Sequence, residues 1–226
     1  FVRRRQRLLA EEGRVSVAFG EARRLTSPGP VKVMRLVGNE PFHDLASPLG
    51  FDLLSFWQWA SSDLVSNATR GILAEYLVAQ ALGIAADGVR EEWAAYDLET
   101  PDGTRIEVKS AAYVQSWQQR RLSQISFRVS KTLVWDRYSN RYGSEPKRHA
   151  DVYVFALLAH KEQQTVNPLD VSQWEFFVLP TVVLDKRERS QHSITLPSLR
   201  RLAEPVSFHE LPRAVADAGK VQRRAD

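Results

Sequence analysis

Cysteine is absent from the 226-residue chain, which excludes disulfides, thiolate zinc sites and a cysteine nucleophile and fits a reducing, cytoplasmic setting. No window approaches the ~18–20 unbroken apolar residues of a membrane span. The basic start Phe1–Arg7 is followed by no apolar core of the secretory-leader kind. Repeats and low-complexity tracts are missing as well. The histidines (His43, His149, His160, His192, His209) have no metal-ligand spacing and no neighbouring nucleophile, so they read as structural or surface residues.

What is present suits a folded globular chain, with 43% hydrophobic and 26% charged residues. The net charge of +4 is a weak signal, but its distribution is informative. Between Gln118 and Arg148 the bases Arg120, Arg121, Arg128, Lys131, Arg137, Arg141, Lys147 and Arg148 meet only Asp136 and Glu145. Trp117, Phe127, Trp135, Tyr138 and Tyr142 are interleaved with them. Bases and aromatics in one segment suit phosphate contact and base stacking; a solvated face over core aromatics gives the same pattern.

Residues 1–48 read as an N-terminal extension, with Arg-rich residues first, then β-like pieces at Val15–Phe19 and Val31–Val37 around the breaker Ser27–Pro30. A main domain follows over 49–214, and a polar tail that frays over 215–226. Within the domain, Phe51–Ala60 is expected to be helical with Trp57 and Trp59 buried. A second helix runs from a cap at Ser66 or Asn67 to Leu82, with Gly83 as its stop. Glu75 lies mid-helix among Gly71, Ile72, Val78, Ala79 and Leu82. A carboxylate in such a stripe needs a partner, either a functional group or an arginine such as Arg70. A linker near Ala85–Gly88 precedes strands at Val89–Ala95, Ile125–Val129, Asp151–Leu158, Trp174–Leu179 and Ile194–Leu196, and a short helix from Pro197 to Leu202. The continuously apolar run from Val152 to Leu158 predicts a central strand buried on both faces.

The chemistry centres on Tyr96–Glu99, the turn Thr100-Pro101-Asp102-Gly103, and Arg105–Ser110. As a hairpin, its second strand sends Ile106 and Val108 to one face and Glu107 and Lys109 to the other, about 7 Å apart. Asp97 returns across the turn towards Glu107, with Glu99 its competitor if a bulge shifts the register. Asp102 belongs to the turn tip. Two carboxylates beside an ammonium suit a hard divalent cation. The bland reading is a surface ion pair, which contributes only about 0–1 kcal/mol.

A helix with Glu75, a strand with Asp97 and a strand with Glu107-x-Lys109 together resemble the PD-(D/E)xK superfamily of restriction-endonuclease-like nucleases, over roughly residues 66–160. Tyr96 stands where that pattern has proline. The resemblance implies an α/β fold with a central mixed sheet flanked by helices. It also implies a Mg²⁺-dependent nuclease, with Mn²⁺ able to substitute. Asp97, Glu107, the Val108 carbonyl and Glu75 would ligate the metal, and Lys109 would orient or polarise the attacking water. Ser110, Tyr113, Gln115, Arg120, Arg121, Arg128 and Lys131 are the expected nucleic-acid contacts. The expected partner is DNA, with RNA left open, and a homodimer is compatible with double-strand cutting. Restriction or defence and repair are both open settings, as is a catalytically inactive nucleic-acid-binding module on the same fold.

Overall fold

The computed structural model describes residues 31, 33–85, 88–92, 94–136 and 141–225. The chain divides into two units, Phe1–Val31 and Lys32–Asp226, and every element below belongs to the second. The Arg-rich start, the Val15–Phe19 piece, the Ser27–Pro30 breaker, Arg137 and Tyr138 lie outside the described residues. In chain order the elements are β1 (Pro41–Asp44), β2 (Ser47–Asp52), α1 (Leu53–Ser61), α2 (Asn67–Ala81), β3 (Leu98–Glu99), β4 (Arg105–Ala112), β5 (Ser126–Arg128), β6 (Trp135–Asp136), β7 (Arg141–Tyr142), β8 (Val152–Leu158), β9 (Trp174–Pro180), α3 (Thr181–Asp185), β10 (Ser193–Thr195), α4 (Leu196–Leu199) and α5 (Leu211–Arg223).

The central sheet has the order β3-β4-β8-β9. It is mixed: β8 runs parallel to β4 and antiparallel to β9, and β3 is antiparallel to β4. All seven residues of β8 are buried, as the apolar run predicts, because layers cover both faces. On one face Ile106, Val108, Val152 and Val154 pack against Ala74, Leu77 and Val78 of α2 and Leu211, Val215 and Ala218 of α5. On the other, Tyr153, Phe155 and Leu157, with Phe177 of β9, meet Phe127, Leu184, Ile194 and Leu199, contributed by the β5–β10 ribbon, α3 and α4. Phe127 and Phe155 meet edge to face at 5.1 Å. Each fully buried side chain of this kind stabilises by roughly 1.5–3 kcal/mol. The fold is the expected mixed α/β sheet flanked by helices.

Helix α2 begins and ends where the sequence predicts. Ser66 caps it by accepting from Thr69 N–H, Leu82 closes it, and Gly83 turns at φ +70, a conformation that glycine adopts without steric cost. Four expectations fail. The Val31–Val37 and Val89–Ala95 pieces form no strand among their described residues, since alternation alone supplies no partner strand. Trp57 and Trp59 are 38% and 85% exposed and α1 buries none of its residues. Residues 215–223 do not fray: Val215, Ala218, Gly219 and Gln222 form the buried stripe of α5. That stripe is built from small and amide side chains, so intervening charges masked it. The Gln222 amide oxygen accepts from Val182 N–H at 2.8 Å, and Gly219 lies so close to Thr104 that a Cβ would stand 3.2 Å from its hydroxyl. The β1–β2 hairpin also runs through residue 48, where the sequence reading ends the extension. No helix among the described residues is long and apolar enough to cross a membrane.

Candidate active site

The β3–β4 hairpin closes through its turn residues. Gly103 N–H donates to Thr100 O at 2.8 Å and Thr100 N–H to Thr104 O at 3.0 Å, with Gly103 at φ +80. Asp102 accepts from the Thr100 and Thr104 hydroxyls. Those bonds, Thr100's first, hold its carboxyl below the usual range. It is a turn residue, as the sequence implies. The strand pairs Leu98 with Ile106 and Glu99 with Arg105. Asp97 N–H also donates to Ile106 O at 3.0 Å, the carbonyl of the residue opposite Leu98, so regular pairing ends at Asp97. Glu99 lies one step nearer the turn and takes the Tyr96 hydroxyl.

β3 stops at Leu98, so Val108 N–H has no strand partner on that side. The Asp97 carboxylate takes its place, accepting at 2.7 Å. Because N–H and C=O of one strand residue point to the same side, the Val108 carbonyl faces the same edge. Burial first, and the Glu107 charge second, push the Asp97 carboxyl up to about 7; Glu75 adds to this, while Val108 N–H and Lys109 oppose it. Glu107 and Lys109, two residues apart on one face, form an ion pair. Their alternation with the buried Ile106 and Val108 is as predicted.

Glu75 is engaged elsewhere. Arg90 binds both its oxygens, Nε to Oε2 and a terminal nitrogen to Oε1 at 3.1 Å, and this contact holds the Arg90 guanidinium above its ordinary value. Arg70 does not pair with it. Among the described residues, no group of three or more His, Asp and Glu is gathered closely enough to hold an ion. What the fold does bring together is two carboxylates, the Val108 edge and one ammonium. The donors are all oxygen, the set that Mg²⁺ prefers. Two carboxylates, one on the edge beside the Val108 carbonyl, are a donor set of the kind a divalent cation takes.

Glu107 and Lys109 open into a cleft of about 110 Å³, which Ala95, Arg128, Ser130, Thr132, His149 and Tyr153 complete. Burial raises the Tyr153 hydroxyl above its ordinary value. Of the expected nucleic-acid contacts, Arg128 alone lines this cleft. Lys131 is exposed near Asp185 at 3.9 Å. Tyr113 carries the Lys161 ammonium 5.0 Å above its ring. Ser110 and Gln115 belong instead to a polar knot around Arg70, which is 3% exposed. Arg70 donates to Ser110 Oγ at 3.2 Å, Val65 O at 2.6 Å, Gln115 Oε1 at 3.4 Å and Asn67 Oδ1 at 2.7 Å. Buried Gln115 therefore ties the loop after β4 to α2 and reaches no open surface.

Arg120 and Arg121 are exposed on that loop with Trp117, around an open hollow of about 420 Å³. Elsewhere in the basic segment Arg148 is buried, donating to Val129 O and Gln191 and pairing with Asp185, and Phe127 is core. Sequence reasoning missed His149 and Thr132 in the cleft, because only a long-range pairing brings them there. The family model described as bacteriophage T4 endonuclease IV matches residues 54–197, a span that holds Glu75, Asp97, Glu107 and Lys109. No curated protein matches the chain.

Proposed function

The chain belongs to the bacteriophage T4 endonuclease IV family, and from that membership we propose that it is a nuclease hydrolysing DNA phosphodiester bonds at the Asp97, Glu107 and Lys109 side chains. The observation that carries this reading is the Asp97 carboxylate on Val108 N–H, which sets a second acid against a strand already bearing Glu107 and Lys109. The same arrangement, with helix α2 before it, supports the PD-(D/E)xK resemblance.

Asp97, Glu107 and the Val108 carbonyl would hold Mg²⁺, or Mn²⁺ in its place, with Glu75 contributing through water. When bound, such a cation stabilises negative charge on the phosphoryl oxygens and favours in-line displacement. Lys109 leaves its contact with Glu107 to orient the attacking water and offset charge on the phosphate. Arg128 grips a phosphate oxygen at the cleft wall. Trp117, Arg120 and Arg121 extend the contact along a strand. A homodimer would present two such clefts to a duplex.

Incubation of the purified protein with supercoiled plasmid and single-stranded DNA in Mg²⁺ tests this reading. Wild type should cut; Asp97→Ala and Lys109→Ala should fold, bind and not cut. Cleavage at wild-type rates by both variants would overturn it. The ion pairs that occupy Glu107 and Glu75 favour a second reading, an inactive nucleic-acid-binding module. Salt-sensitive binding without turnover in either Mg²⁺ or Mn²⁺ would select it.

A further inference from the structure

Thr132 and Lys147 form a doubly hydrogen-bonded antiparallel pair, Thr132 N–H to Lys147 O at 3.0 Å and Lys147 N–H to Thr132 O at 3.1 Å. Continuing that register sets Ser130 across from His149 and Lys131 across from Arg148. Successive side chains of an extended segment alternate in direction, and the contacts agree. Lys131 and Arg148 both reach Asp185, whereas Ser130, Thr132 and His149 all line the cleft that holds Glu107 and Lys109. Arg148, buried and bonded to Val129 O at 2.9 Å and to Gln191, fixes the ribbon from behind.

The His149 ring is oriented as well. Its Nε2 lies 2.8 Å from the Thr132 carbonyl, which can only accept, so Nε2 carries a proton and Nδ1 is the nitrogen left for another partner. The Ser130 hydroxyl donates to His192 O at 3.3 Å and accepts from Arg128 Nε at 3.4 Å, which steers the Arg128 guanidinium along the same wall. The charged groups of the cleft are thus Arg128 and Lys109 against Glu107, with Tyr153 beneath and Lys147 next to the pairing. The balance favours an anion.

We propose that this ribbon wall is a phosphate subsite of the cleft, in which the Thr132 hydroxyl and, with the ring as an imidazolium, His149 Nδ1–H donate to a phosphodiester oxygen of the bound strand beside Arg128. The inference rests on the nuclease reading and deepens it by adding two substrate contacts. The test measures binding of a fluorescein-labelled single-stranded oligonucleotide by anisotropy, in EDTA so that cleavage does not interfere, alongside cleavage in Mg²⁺. His149→Ala and Thr132→Val should each weaken binding about tenfold, the loss expected for one hydrogen bond to a charged oxygen. In cleavage assays both should raise KM more than they lower kcat.

Thr132→Val keeps the backbone carbonyl that holds the ribbon, so it decides the matter if His149→Ala misfolds. Wild-type affinity and KM in a folded Thr132→Val and a folded His149→Ala would overturn the subsite while leaving the nuclease reading intact. Weakened binding by both variants, in a protein that never cleaves, would sustain the subsite and overturn the nuclease reading instead.

Discussion

The carboxylate of Asp97 accepts a 2.7 Å hydrogen bond from the backbone N–H of Val108, the residue between Glu107 and Lys109. That bond replaces a missing strand partner and holds a half-buried acid beside a second one. The consequence is a carboxyl raised from 3.8 to about 7 by burial and by Glu107.

A raised acid favours the native state while protonated there, so its contribution is fully present below pH 3.8 and is lost as pH rises through about 7. Asp97→Asn keeps the acceptor for Val108 N–H and removes the charge. In metal-free buffer the variant should be more stable than wild type at pH 8, by more than the ~1.4 kcal/mol of a single pKa unit. The difference should shrink towards zero near pH 4. Urea denaturation at both values checks this; equal stabilities at pH 8 would show that Asp97 ionises without penalty.

Lys109 is the ammonium nearest this acid pair, in contact with Glu107. Lys109→Met should lower the cleavage rate by about 100-fold or more, the usual scale for a positioned proton-transfer or charge-stabilising group. Anisotropy should show DNA affinity changed far less. Nicking of supercoiled plasmid under single-turnover conditions is the measurement, and a loss confined to KM would reassign Lys109 to simple substrate binding.

How much of this was legible in the sequence follows from the range of each interaction. The alternation of Ile106, Glu107, Val108 and Lys109, the Thr100–Gly103 turn and the Ser66 and Gly83 ends of α2 are set by neighbours a few residues apart. They were read correctly. The apolar run of β8 declared its own burial. Glu75 was seen to need a partner, but Arg90 lies in a segment whose path no periodicity reveals. Gln115 and Ser110 looked like site residues because they follow the motif; only the folded position of Arg70, 45 and 40 residues away, turns them inward. His149 was invisible for the same reason, since the pairing of Thr132 with Lys147 brings it to the cleft.

Arg70 makes a prediction about stability. Among the described residues its guanidinium meets no carboxylate, and burial holds it below its ordinary value, yet it satisfies four oxygens at once. Arg70→Met removes the buried charge but strands Gln115 Oε1 and Asn67 Oδ1. The expected cost is about 2–3 kcal/mol, read from the shift in denaturation midpoint. Amides of the loop after β4 should exchange faster in the same variant, because Gln115 also anchors that loop through Ala112 O and Ser123 Oγ.

That anchored loop carries the last prediction. Gln119 bonds Gln115 N–H at 2.7 Å and reaches Tyr113 O and Ser123 Oγ, so the loop is held from within while Trp117, 53% exposed, and the two arginines face outward. An arginine on a phosphate displaces a counterion and sets part of the salt slope; an aromatic on a base does not. Arg120→Ala/Arg121→Ala should therefore reduce the slope of log K against log[salt] by about 1 to 2. Trp117→Ala should weaken single-strand binding by about 1–3 kcal/mol with the slope unchanged. Anisotropy titrations across a range of NaCl concentrations separate the two effects. Should the double arginine variant keep the wild-type slope, the loop faces away from the bound strand and the phosphate contacts belong to the Arg128 wall alone.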